Sequence, residues 1–160
     1  MQTFLPLPSF SNSLVILDRK RLGKQRVEAR QIFDTLQKMK DNNRPAKIAW
    51  ENHPAVRMWE NYEEALKYYH DLAIHEWARR GYNNTMPLLL PSKTVHDLIN
   101  MPKFFEPWWF GNHAFHASHR SNLLRKDYGF YSKNGWTEPP TLPYWWPTKN
   151  IKVYTNSILR

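Results

Sequence analysis

A short segment near the start of the chain concentrates residues that could hold phosphates and carry out acid–base chemistry. Asp18 opens the segment and Glu28 is the acid in its interior. Six basic residues surround them: Arg19, Lys20, Arg21, Lys24, Arg26 and Arg30. A basic helix face of this density can lie along a phosphate backbone. A carboxylate among arginines stays ionised at neutral pH, so Glu28 could activate a water molecule or stabilise a cation.

Plainer roles for this segment remain open. The basic residues could form a solvated helix face, and Glu28 could form only a salt bridge to Lys24 or Arg21.

A second group of polar residues lies between residues 112 and 126. Helical spacing places His116 on one face with Arg120 and with His119. We expect this region and the basic first segment to form one positive surface. Three small polar residues add hydrogen-bonding groups of the kind that hold phosphates: Ser118, Ser121 and Asn122.

The same histidine spacing is compatible with zinc. No third ligand has a matching local spacing, although His53 or His70 could supply one in space. We therefore expect neither a metal nor another cofactor.

Three principal helices are predicted to position these groups. Apolar residues recur at helical spacing in the first, which should run from about Lys20 to Lys40 with Asp18 or Ser13 as its N-cap. The third should run from Asn112 to about Lys126, and Ser92 is expected to cap a shorter helix that ends at Asn100.

The second predicted helix has the strongest periodic signal. It should run from Pro54, whose missing N–H costs nothing in a first turn, to Arg80, with Gly81 as a left-handed cap. Trp59 and Leu66 should be buried on its apolar face.

The remaining segments carry no strand pattern, so we expect a mainly α fold with irregular loops rich in aromatic residues and proline. The first ten residues should form an extended arm, and the last segment should wrap back over the helices. Two aromatic runs, 108–110 and 144–146, could stack on an unstacked base, but for most of these side chains we favour a role in covering the core.

Composition limits the class of protein. The chain has 160 residues and a net charge of +9, which indicates one domain over residues 1–160 and a polyanionic partner. Without cysteine, disulfides and thiolate chemistry are excluded. No signal peptide or membrane span is expected.

Several segments together resemble one known family, the pyrimidine-dimer DNA glycosylases, and within it the bacterial and phage branch. The resemblance covers roughly the whole chain in order. It is carried by Leu17–Glu28, Asn52–Trp59, Glu76–Tyr82, His116–Ser121, Leu124–Asp127 and Pro143–Pro147.

The resemblance implies a compact three-helix fold and two reactions: cleavage of the bond between a damaged pyrimidine and its sugar, then strand cleavage at the abasic site. It also implies a catalytic N-terminal amine and a first-helix glutamate. The amine would be that of Met1, because a residue as long as Gln2 leaves the initiator in place. The pKa of an α-amino group is about 8, so a larger fraction of it than of a lysine side chain is the free base at neutral pH. Glu28, or Asp18 if the helix is rotated, would assist at the sugar.

The resulting prediction is a monomeric DNA glycosylase, with or without abasic-site lyase activity, in the cytoplasm of a bacterial cell or a phage-infected host. Two alternatives are a DNA-binding protein without catalysis on the same scaffold and an enzyme that acts on another nucleic-acid or nucleotide bond. The predicted partner is duplex DNA. Its predicted contacts are Arg19, Arg21, Lys24, Gln25, Arg26, His116, His119, Arg120, Arg125 and Lys126.

Overall fold

The computed structural model describes residues 1–91 and 93–147, and within these residues all regular structure is helical. The α-helices are α1 (Phe10–Val15), α2 (Arg19–Lys40), α3 (Pro54–Arg57), α4 (Glu63–Arg79), α5 (Val95–Ile99), α6 (His113–Lys126) and α7 (Tyr128–Tyr131). Short 3-10 turns lie at Lys103–Phe105 and Ser132–Asn134. The mainly α prediction is confirmed. No helix in the described ranges is long and apolar enough to cross a membrane.

Helix α2 is the first predicted helix, and its apolar stripe is buried as the spacing required. Leu22, Ile32 and Leu36 are buried against the core. Asp18 occupies the N-cap position, but its carboxylate bonds to Arg21 and Tyr131 instead of to a helix N–H. The apolar spacing therefore predicted the helix correctly, and Asp18 is its N-cap residue, although its side chain does not accept from a helix N–H.

The second predicted helix is interrupted, which corrects the continuous helix expected from Pro54 to Arg80. The chain leaves α3 after Arg57 and re-enters a helix at Glu63, with Asn61 between them in the left-handed region at φ 71°. Asparagine tolerates this conformation better than most residues. Trp59 and Leu66 are both fully buried, as predicted. Because the apolar spacing continues through the break, periodicity could not reveal it.

The N-terminal segment is extended, as predicted, but it lies inside the molecule. The Phe4 N–H donates to Gln25 Oε1 at 2.8 Å, and the Tyr69 hydroxyl donates to the Phe4 carbonyl at 2.9 Å. Leu5 has no exposed surface. Its N–H donates to His119 Nδ1 at 2.9 Å. Helices α2, α4 and α6 therefore fix the first residues of the chain.

Helix α6 begins as predicted, with Asn112 Oδ1 accepting from the Phe115 N–H at 3.0 Å. The segment that follows α7 packs back over α6. The Ser121 hydroxyl accepts from the Leu142 N–H at 2.9 Å, and the Ser118 hydroxyl accepts from the Trp145 N–H at 3.1 Å. The wrapping predicted for the proline-rich end is confirmed up to residue 147.

A short helix also forms at Val95–Ile99, but its cap is Thr94, whose hydroxyl accepts from the Asp97 N–H at 3.1 Å. The predicted cap residue, Ser92, lies outside the described residues.

Candidate active site

Glu28 lies beside the N-terminus. Its Oε2 atom accepts a hydrogen bond from the backbone N–H of Gln2 at 3.2 Å, across 26 residues of sequence. The amino group of Met1 is one residue away from this bond, and Met1 is only half-buried. Arg21 pairs with Asp18 at 3.2 Å, and within the described residues neither Arg21 nor Lys24 forms the salt bridge to Glu28 that was the plainer alternative.

His53 lies within electrostatic reach of the same two groups. Burial lowers the pKa of His53, the positive charge of the N-terminal amine lowers it further, and the negative charge of Glu28 opposes both. At the N-cap of α3, His53 Nδ1 accepts from the Ala55 N–H at 3.0 Å, so the neutral ring carries its proton on Nε2. His53 was not among the predicted catalytic residues. From the sequence we considered it only at a helix start, ahead of Pro54, and as a possible third zinc ligand.

Aromatic side chains from the C-terminal wrap line the site. The Trp146 ring lies 6.1 Å from that of His53 and 5.3 Å from that of Tyr144, measured between centroids. Burial raises the pKa of Tyr144 to about 12, with Arg125 opposing this and Glu28 adding to it. Tyr144 is therefore a neutral hydrogen-bonding group within electrostatic reach of Glu28.

Four cations from two helices lie together near Glu28: Arg21 and Lys24 from α2, and Arg125 and Lys126 from α6. We call them the cation cluster. Burial lowers the pKa of Lys126, and repulsion from the other three members lowers it further, while Glu28 has the opposite effect. Lys24, Arg125 and Lys126 are exposed. Like charges held together and open to solvent form a site suited to a polyanion.

Three predicted DNA contacts are inside the protein, which corrects the sequence analysis. Gln25 and His119 have no exposed surface and His116 has almost none, so none of them can meet a phosphate. Instead they hold the N-terminal segment. His116 Nδ1 donates to the Leu5 carbonyl at 2.7 Å because His116 Nε2 accepts from the Gly111 N–H.

Other predicted contacts are engaged elsewhere. Arg120 forms an ion pair with Glu138 at 2.5 Å and donates to the Pro6 carbonyl at 2.8 Å. The continuous positive surface expected around His119 and Arg120 is therefore formed on α6 by Arg125 and Lys126 instead. Glu138 is too distant in sequence for its pairing with Arg120 to be anticipated.

The opposite flank of α2 carries Arg19 and Arg26. The Arg26 guanidinium stacks 4.1 Å from the Trp77 ring centroid and donates to Asn84 Oδ1 at 2.7 Å. Arg19 lies 4.8 Å over Tyr82. Arg26 therefore does not lie beside Glu28 as the sequence suggested.

Asp18, the other acid of the predicted site, is held by hydrogen bonds from Tyr131 and Arg21. Burial raises the pKa of Asp18, but these hydrogen bonds outweigh burial and lower it.

Burial of His119 gives a testable pH dependence. Burial lowers its pKa to about 3, whereas an unfolded histidine titrates near about 6.5. Between these values the unfolded chain binds a proton that the folded chain does not, so stability falls as pH drops below about 6.5. We expect a loss of about 2 kcal/mol between pH 7.5 and pH 5 from this residue, measured by urea unfolding.

The matched variant is His119→Asn, whose side-chain oxygen can accept from Leu5 and does not titrate. Its stability should fall less between the two pH values. Equal losses for the variant and the parent protein would show that His119 is not the source.

In the described residues, a helical fold brings together a carboxylate, an N-terminal amine and a cation cluster, a combination suited to a protein that acts on nucleic acid. Comparison with known families is more specific: a family model described as pyrimidine dimer DNA glycosylase matches residues 1–90. This is more than half of the chain, which therefore belongs to the pyrimidine dimer DNA glycosylase family. No curated protein and no solved structure gives a significant match. The family acts on DNA, and DNA is accordingly the partner.

Proposed function

We propose that the protein is a DNA glycosylase that removes a damaged or modified pyrimidine and then cleaves the strand through an imine on the Met1 amine. The observation that carries this proposal is the hydrogen bond from Gln2 to Glu28, because it brings the start of the chain beside a carboxylate. Residues 4–131 contribute to one buried core, which supports a single domain. We further propose that the protein acts as a monomer in the cytoplasm of a bacterial cell or a phage-infected host.

The proposed chemistry follows from the two groups. The Met1 nitrogen attacks C1′ of the sugar, and the bond from C1′ to the base breaks with its electron pair leaving on the base. Loss of the base builds positive charge on the sugar, which the Glu28 carboxylate would stabilise. The base takes up the proton that the Met1 nitrogen loses. Opening of the sugar ring then leaves the C1′–O4′ electron pair on O4′, which gains a proton from solvent, and yields the protonated imine. Loss of a C2′ proton to solvent expels the 3′ phosphate and cuts the strand.

The cation cluster would hold the phosphates around this sugar. Lys24 and Lys126 are suited to the role because they are exposed and lie on the same surface as Glu28. The contacts would be to the backbone, so they would position the strand without selecting its sequence.

Lys24 should account for a measurable part of the salt dependence. Each phosphate contact contributes roughly one unit to the slope of log affinity against log salt. Lys24→Gln should therefore reduce that slope by about one unit for a duplex, measured by fluorescence anisotropy over a salt series.

The control is Lys38→Gln, an exposed lysine on the same helix about 21 Å away at 1.5 Å per residue. Its slope should equal that of the parent protein. If Lys24→Gln and Lys38→Gln have the same slope, the cation cluster is not the binding surface.

The function is tested with duplexes that carry a pyrimidine dimer, an abasic site or a modified pyrimidine, with and without borohydride. A trapped adduct that maps to Met1 by mass spectrometry is the expected result. Cleavage that appears only after alkali would show a glycosylase without lyase activity. Binding with no base release on any duplex would favour the non-catalytic alternative.

A further inference from the structure

The loop between α2 and α3 holds Trp50 in an unusual backbone conformation. Its φ is 69°, in the left-handed region that a bulky side chain rarely adopts. The indole is 58% exposed, so burial of the ring does not offset this strain. Strain of this kind persists only where surrounding contacts impose it, and it concentrates at binding and active sites.

Contacts on both sides of Trp50 impose its conformation. The Trp50 carbonyl accepts from the His53 N–H at 2.9 Å, and the Glu51 N–H donates to the Ile48 carbonyl at 3.3 Å. Ile48 is buried, and the Glu51 carboxylate pairs with Arg44. Backbone hydrogen bonds, a buried side chain and an ion pair therefore hold the loop that exposes the Trp50 ring.

The same contacts place Trp50 at the edge of the candidate active site. Its ring centroid lies 5.7 Å from that of His53, and the His53 ring lies 6.1 Å from that of Trp146. His53 in turn lies within electrostatic reach of the Met1 amine and Glu28. A strained, exposed indole thus lies one side chain away from the groups proposed to act on the sugar.

An exposed indole at this place is suited to stacking on an unpaired base. Enzymes that act on a base or its sugar open the duplex locally, and the exposed face of an unpaired base stacks well on an aromatic ring. We propose that Trp50 stacks on an unpaired nucleobase, purine or pyrimidine, next to the reacting sugar. This inference rests on the proposed function, because that reaction requires the opened duplex.

The experiment uses a duplex with a tetrahydrofuran abasic analogue, which cannot form an imine, and with 2-aminopurine beside it. The parent protein should quench the 2-aminopurine fluorescence. Trp50→Asn, whose side chain tolerates the left-handed backbone, should abolish the quenching and weaken binding to this duplex by about tenfold. Affinity for the intact duplex should stay unchanged.

Two variants make the comparison specific. Trp50→Phe keeps an aromatic face and should retain most of the affinity for the opened duplex. Phe104→Ala removes a ring that is 82% exposed on the Lys103–Phe105 turn and should change neither quenching nor affinity. Thermal unfolding of each variant confirms that it is folded.

Unchanged quenching in Trp50→Asn, or equal losses on opened and intact duplexes, would overturn the proposal. The proposed function is checked separately by borohydride trapping of the parent protein on a natural abasic site. If trapping fails there, and base release also fails on the duplexes that carry a pyrimidine dimer or a modified pyrimidine, the catalytic proposal is wrong, while the tetrahydrofuran duplex still decides whether Trp50 stacks on a base.

Discussion

Glu28→Gln is expected to reduce turnover by about 10² to 10³-fold while leaving DNA binding intact. The change keeps the size of the side chain and an oxygen that can accept from Gln2, but it deletes the negative charge. Only the developing charge on the sugar requires that negative charge, so the loss should appear in single-turnover base release. Binding could tighten, because the surface near the cation cluster becomes more positive.

Glu64→Gln is the matched control, since Glu64 is an exposed carboxylate on α4 that pairs only with Lys67 among the described residues. It should match the parent protein in turnover. A structural role for Glu28 predicts a different pattern: a lower melting temperature for Glu28→Gln, with activity per folded molecule preserved. That pattern would remove Glu28 from the proposed mechanism.

Residues added ahead of Met1 should abolish imine trapping and strand cleavage. The extension converts the Met1 amine into an amide, which has no free electron pair for attack at C1′. Duplex binding should persist, because the cation cluster is formed by side chains of α2 and α6. Borohydride trapping on an abasic duplex, read as a shifted band on a denaturing gel, measures the effect.

Removal of the extension by a protease that regenerates Met1 should restore trapping. Lys126→Gln is a second control, because Lys126 is another amine whose charge interacts with Glu28. It should lose affinity but still form the adduct. Trapping by the extended protein, with the adduct mapped to Lys126, would transfer the nucleophile from Met1 to that lysine.

The spacing of apolar residues was enough to predict α2 and α6, because a helix needs only one buried face to be recognised. It could not reveal the break at Asn61, since Trp59 and Leu66 are buried on both sides of it. The break between α3 and α4 depends on tertiary packing, which the spacing of apolar residues along the sequence does not report.

Prediction of site residues failed where a polar side chain has a distant partner. His119 has a pattern suited to a phosphate ligand, yet its partner is the backbone of Leu5, 114 residues earlier. The positions of Lys24 and Glu28 on one face of α2 follow from helical spacing alone, but the contact of Glu28 with Gln2, 26 residues earlier, does not. His53 and Tyr144 join the candidate site only through tertiary contacts, and the local sequence did not indicate that either lies near Glu28.

The two histidines that hold Leu5 make the arrangement of the site depend on the order of synthesis. During synthesis, the first residues leave the ribosome before α6, the last long helix described, has been made. Until His116 and His119 dock, nothing on α6 holds the chain at Leu5, and the position of the amine relative to Glu28 lacks that restraint. A truncated product that ends at residue 90 would therefore carry the segment that matches the family but lack the two histidines that hold Leu5. In such a chain, contacts from α2 and α4, but none from α6, would restrain the proposed nucleophile beside Glu28.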